Sequence, residues 1–389
     1  MKAAFIHANV IDVLERKTLI DQTVLIEEGR ICAVDPQLDT AGYQIEDLGG
    51  KYLSPGFFNM HVHTTVSAST DSNFHAYTPV ESTLLSLENL SSYIRSGVTF
   101  VRDVGSYDEI WEIREAVRSG RIAMAPDMQL SGRPICQTGG TTWTMVGYQA
   151  DGEDECRKAA RLMLRSGADW IKLMGTGGII TRGSNPNATQ LSVEELRAAS
   201  EEAHKLGLKS CCHVQNDADA RNAILAGVDC LEHGDILSDE TIQMMVNRGV
   251  WLDPTLSAAY CIFNRAPEGE FKTKAEKGFK TSLDSFKRAY AAGVPCVLAN
   301  DCGAQFCYHD EFALELEMAA NYCGVNPYEA FAMATVNAAA LCGVEKDLGS
   351  VTVGKKAHFA VFAQDPIADI KAAQDCCMTV KNGQILWKK

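Results

Sequence analysis

Residues 165–175 read RSGADWIKLMG: the tail of a helix, a glycine, then a short apolar strand. Glycine suits the position just past a helix because it adopts positive φ without a Cβ clash. The same order recurs in RSGVTFVRDV (95–104), LGLKSCCHV (206–214), AGVDCLEHG (226–234), RGVWLDPTL (248–256) and AGVPCVLAND (292–301). These strands are short and apolar rather than cleanly alternating, as parallel strands covered on both faces are.

The segments between them read at a 3.6-residue period. Ser192-Val-Glu-Glu195 is a capping box, and Asn326-Pro327 places proline at the first position of another helix. Strands are predicted at 57–63, 99–104, 128–133, 170–175, 209–214, 230–234, 251–256 and 295–301. Eight strands separated by helices predict an α/β fold of the (β/α)8 TIM-like barrel type. Long segments at 64–85, 134–152, 176–190 and 257–280 would then share the face where such barrels build their sites. The ends differ. TVLIEEGRICAV and CCMTVKNGQILWKK read as strands joined by Gly turns, the second through Asn-Gly. Residues 1–55 and 346–389 are therefore expected to form one small β-sandwich module, with 56–345 as the barrel.

The net charge of −14 argues against nucleic acid or an anionic membrane as a partner. No secretory h-region and no long apolar run is found, so a cytoplasmic protein with a small-molecule substrate is expected. A homo-oligomer is left open. Fourteen cysteines without a CxxC read as buried, reduced thiols.

In SPGFFNMHVHTT (54–65), His61 and His63 stand at i and i+2, so on a strand they share a face. The other strand ends supply Lys172, His213, His233 and Asp301. A lone strand histidine is usually a hydrogen-bonded core or rim residue. Four of nine at the mouth of one barrel point instead to a metal site, and His with carboxylate suits Zn²⁺ and related divalent ions. The remaining His7, His75, His204, His309 and His358 fall mostly on helices, loops or the terminal module. A protonated Lys172 beside cations would be repelled. A neutral amine there could take up carbon dioxide and become a bridging carbamate.

Nearly the whole chain resembles the metal-dependent amidohydrolase superfamily, through SPGFFNMHVHT, WIKLMGTGG, CCHV, CLEHGD, LANDCG and the closing NPYEAFAMATVNAAALCGVEKDLGSVTVGKKAHFAVF. GTGG followed by NPNATQLSVEEL is most similar to the branch of imidazolonepropionase-related proteins and Xaa-Pro dipeptidases. The resemblance implies two divalent metal ions, zinc first among them. His61, His63 and Asp301 would hold one, His213 and His233 the other, and N6-carboxylated Lys172 would bridge them. It implies hydrolysis of an amide C–N bond in a dipeptide, N-acyl amino acid or related small amide. A metal-bridging hydroxide would attack, with Asp301 as general base and then general acid.

The chain departs from its relatives at Asn59, at Thr141-Thr142 where peptidase-like relatives often carry His, and at Gln215 where they often carry Tyr. Thr142 and Gln215 favour an alternative substrate, a cyclic amide of lactam or imidazolone type or a xenobiotic-type amide. A non-catalytic scaffold is disfavoured by the intact ligand set. Substrate contacts are further expected from Trp143, Tyr148, Arg182 and His309, and Arg102-Asp103 is expected to be an internal ion pair.

Overall fold

The computed structural model describes residues 2–68, 77–179, 181 and 183–389. Helix starts follow local chemistry. Thr78 and Ser192 accept from the backbone N–H three residues on, and Glu81 and Glu195 reach back, so capping boxes open Pro79–Arg95 and Val193–His204. Asn326 caps Pro327–Met333. Gly227 and Gly249, at φ +92° and +67°, close Asp217–Ala226 and Asp239–Arg248.

Each closing glycine delivers the chain into a parallel strand. Trp170–Met174, Lys209–Val214, Cys230–His233 and Trp251–Asp253 lie side by side, with Leu173, Cys212, Leu231 and Leu252 in register. Ile135–Cys136 and Tyr148–Gln149 extend this sheet to six strands. Phe57–Val62, Val98–Asp103 and Asp127–Leu130 form a second, three-stranded parallel sheet. Single parallel bridges, Leu252 to Cys296 and Val62 to Cys302, tie the 296–302 segment to both sheets.

That segment was expected to be the eighth strand, and it is not a regular one. Asp301 stands at φ +52°, which no extended ladder accommodates, and the Asn300 side chain is bonded to Asn59 at 2.7 Å. The third expected strand is likewise shorter. It stops at Leu130, Gly132 turns the chain at φ +69°, and pairing resumes only at Ile135. The two parallel sheets are thus bridged rather than joined in one continuous ladder.

Strands from both ends of the chain share a third sheet of eight strands. Phe359–Phe362 pairs with Tyr52–Pro55, which pairs in turn with Lys2–Asp12. Two-residue turns at Glu28-Gly29 and Asn382-Gly383 have positive φ at both positions, the geometry that matches strand twist. Phe5, Ile26, Leu53, Phe359 and Val380 fill its core. Phe57 locks this sheet to the parallel ones. Its ring lies 5.5 Å from Phe312, 5.4 Å from Phe331 and 5.7 Å from Phe362.

All fourteen cysteines are free, and all are buried except Cys32 and the half-buried Cys377. Among the described residues, no helix is long and apolar enough to cross a membrane.

Candidate metal centre

The strand ends converge. Asp301 Oδ1 lies 3.1 Å from His63 Nε2 and 3.4 Å from His61 Nε2, and Lys172 Nζ lies 3.5 Å from His61 Nε2. The His61 and His233 rings are 5.2 Å apart, and those of His213 and His233 4.5 Å. These six residues share one cavity of about 730 Å³.

Each histidine spends one ring nitrogen on an outer partner. His61 Nδ1 lies 2.8 Å from Glu232 Oε2, and His63 Nδ1 lies 2.7 Å from the Gly105 carbonyl. His213 Nε2 lies 3.0 Å from the Gly177 carbonyl, and His233 Nδ1 lies 2.6 Å from Thr255 Oγ1. Such contacts orient each ring and turn its second nitrogen toward the cavity, which is how metal-binding histidines are held. The donor set therefore fits divalent metal.

The electrostatics agree. Burial, and then Lys172, holds His61 well below its ordinary range, and burial pushes His213 down to about 4. Burial and the neighbouring His213 hold His233 low as well. These rings are neutral, as ligands must be. Burial would raise Asp301, but His61, His63 and Lys172 outweigh it and keep the carboxylate ionised. His63 moves up because Asp301 outweighs its burial.

Backbone strain concentrates here. His233, Thr255 and Asp301 have φ of +70°, +45° and +52°, and Thr142 on the cavity wall has +71°. Left-handed non-glycine residues cost about 1–3 kcal/mol each and persist where the surroundings over-determine them. Gly105 and Gly303 make room for His63: a Cβ on either would come within 2.8 Å of it.

Beneath the site lies a buried charge network that sequence reading missed. Arg102 and Asp103 do not pair, because adjacent strand residues face opposite sides. Arg102 meets Glu232 at 2.8 Å and Asp253 at 3.3 Å, and stacks over Trp170 at 4.7 Å. Asp103 instead accepts from Thr64 N and Ser106 Oγ, both at 2.8 Å. His61, Glu232 and Asp253 also come close enough to group around an ion. The Arg102 guanidinium stands against both carboxylates and is the cation there, and burial with the neighbouring Glu232 pushes the Asp253 carboxyl well above its usual range.

The expected substrate contacts divide. Thr142, Trp143 and Gln215 line the cavity. Tyr148 does not; it pairs in the strand beside Ile135 and packs against the core. His309 also stands behind the site, its ring 5.4 Å from Tyr93 and its Nε2 3.3 Å from the His63 carbonyl. Burial pushes it down to about 4. Arg182 and His75 lie outside the described residues. Asp235, two residues past His233, lines the cavity and was not anticipated; burial pushes its carboxyl up to about 7.

The profile of the amidohydrolase family matches residues 52–386. The chain belongs to that family, and with it to the hydrolases that act on C–N bonds; its relatives imply a TIM-barrel-like α/β fold. Ochratoxinase from Aspergillus niger is 29% identical over 354 residues, which span 83% of this chain and 72% of that protein. Its crystal structure superposes with a TM-score of 0.86 at 25% identity, covering all of this chain and 96% of that one. A Xaa-Pro dipeptidase with bound methionine in its active site superposes at 0.92, again at 25% identity, over the full length of both chains. An imidazolonepropionase from Rhizorhabdus wittichii is 24% identical over 391 residues, spanning 88% of each chain.

Proposed function

We propose that this chain hydrolyses the amide bond of a small molecule at a two-metal centre held by His61, His63, Lys172, His213, His233 and Asp301. The observation that carries the reading is the convergence of these six side chains on one cavity, each histidine with one nitrogen spent outward. His61, His63 and Asp301 form one ligand group and His213 and His233 the other, with carboxylated Lys172 between them. Bound divalent metal, zinc first among the candidates, would supply Lewis acidity and an acidified water.

The chain's own residues do the rest. The Asp301 carboxylate is ionised and within reach of both His61 and His63, so it can accept a proton from the attacking water. Protonated, it returns that proton to the departing nitrogen. On this reading residues 56–345 carry the chemistry on a TIM-barrel-like domain whose two parallel sheets are bridged through the 296–302 segment, and residues 1–55 with 346–389 form the supporting module.

On the substrate, likeness to the Xaa-Pro dipeptidase supports an amide with an amino acid on one side. A second reading, a cyclic amide, is supported by Thr142 and Gln215 on the cavity wall and by the likeness to imidazolonepropionase. Metal-loaded protein assayed against dipeptides, N-acyl amino acids and lactams separates them. Turnover of an open-chain amide supports the first reading, and turnover of lactams alone the second. No hydrolysis of any amide, with metal bound, refutes both.

A further inference from the structure

The helix Leu256–Arg265 begins against the ordinary rule. An N-cap residue normally sits in extended backbone, and its side-chain oxygen accepts from a backbone N–H of the first turn. Thr255 holds that position here with left-handed backbone, at φ +45° and ψ +45°, and its side chain makes no cap hydrogen bond. Its hydroxyl goes elsewhere, to within 2.6 Å of His233 Nδ1. A residue type suited to cap the helix is spent on a proposed metal ligand instead.

The cap comes from a distant part of the chain. Leu256 N donates to Glu315 Oε1 at 2.8 Å, and Ser257 N donates to Glu315 Oε2 at 2.7 Å. Both oxygens of one fully buried carboxyl group therefore meet the two amides that directly follow Thr255. Glu315 sits on the short helix Ala313–Glu317, and the residue before that helix, Phe312, packs on Phe57 at 5.5 Å. On the other side of the turn, Asp253 meets Arg102 at 3.3 Å. A β-branched residue in left-handed backbone is an outlier that persists only where its surroundings over-determine it. Here Arg102 and Glu315 clamp the turn from both ends, although Glu315 does not line the cavity.

From this geometry we infer that Glu315 is a positioning residue for His233, acting through the backbone of residues 255–257. By capping Leu256 and Ser257 in place of Thr255, it frees the Thr255 hydroxyl and holds the turn that presents it to the ring. Without Glu315 two buried amides lose their acceptor. Thr255 then relaxes to extended backbone, its hydroxyl turns back to the helix, and the ring loses its outer partner. The effect on metal falls on the ion assigned to His213 and His233, not on the one assigned to His61, His63 and Asp301. That consequence rests on the two-metal reading; the link from Glu315 to His233 needs no metal.

The test has a metal-free arm and a zinc arm. In metal-free protein, unfolding is measured for Glu315→Gln, His233→Ala and the double variant. Glu315→Asp, whose shorter side chain cannot reach both amides, takes the place of Glu315→Gln if that variant does not fold. The combined effect on the unfolding equilibrium should fall short of the product of the single effects by at least about two-fold, as for residues in one network. Independent, multiplying effects overturn the inference. In the zinc arm, stepwise affinities are read by chelator competition. Glu315→Gln and Thr255→Val should each weaken one bound ion about 10–100-fold and leave the other within about two-fold. Thr255→Ser, which keeps the hydroxyl, should retain both. Equal weakening of both ions, or no weakening, makes Glu315 a helix cap alone and overturns the inference. Absence of zinc binding in the unaltered protein would sink the two-metal reading, and the metal-free arm would then decide the positioning role by itself.

Discussion

Glu232 Oε2 stands 2.8 Å from His61 Nδ1, while Oε1 of the same carboxylate meets Arg102 at 2.8 Å. One buried acid therefore links a proposed metal ligand to the only guanidinium beneath it in the described network. Glu232→Gln keeps the size of the side chain and removes the charge that orients the ring. Metal affinity, measured by competition with a chelator, should weaken about 10–100-fold, the usual effect of losing such an outer partner. Unaltered affinity would mean that His61 is positioned by its strand alone.

Asp301 is assigned both proton transfers. Asp301→Asn keeps the shape and removes the base, so kcat should fall about 10²–10⁴-fold on whichever amide the screen identifies. The melting transition of the metal-loaded protein should remain cooperative. Turnover close to that of the unaltered enzyme would assign the proton elsewhere.

Gly105 is occupied by backbone because a Cβ there would fall 2.8 Å from His63 Nδ1. Gly105→Ala should push the ring off the carbonyl that holds it and lower stability by about 1–3 kcal/mol, as overpacking does. Metal content per chain, measured by atomic emission, should drop with it. Full metal content would show that His63 can be displaced without consequence.

His358, in the sheet built from both termini, is buried and held down to about 4 by that burial, despite Asp127 nearby. Its unfolded value is near 6.5, so the unfolded chain takes up the proton first as pH falls. The neutral ring favours the folded state above pH 6.5, and that contribution is lost between about pH 6.5 and 4. The fall from 6.5 to about 4 corresponds to at most about 3.5 kcal/mol. Urea unfolding across this range should show a shallower loss of stability in His358→Gln than in the unaltered chain. Parallel curves would place the acid sensitivity elsewhere.

The candidate site was legible where chemistry sits on a strand end. Lys172, His213, His233 and Asp301 could be picked from sequence because each follows the same helix–glycine–strand order, and His61 and His63 because they alternate on one strand, so that order along the chain becomes position on one face. His309 and Tyr148 were misplaced for the opposite reason. Both belong to connecting segments, where direction depends on what the segment packs against. His309 turned to the His63 carbonyl and Tyr148 joined a strand edge.

Sequence alone determined the parallel α/β class, the caps that start the helices, the two-residue turns of the terminal sheet and the six residues at the strand ends. Those follow from periodicity and from backbone preferences of a few neighbouring residues. Tertiary structure decided that Arg102 answers Glu232 and Asp253 rather than Asp103, that Thr255 holds His233, and that Asp235 faces Gln215. It also decided that the 296–302 segment bends at Asp301 instead of running on as a strand. These are contacts between segments from about 20 to 150 residues apart in the chain, and no local preference encodes them. They arise only when the sheets close on one another, because a buried charge must then find its partner across the interior.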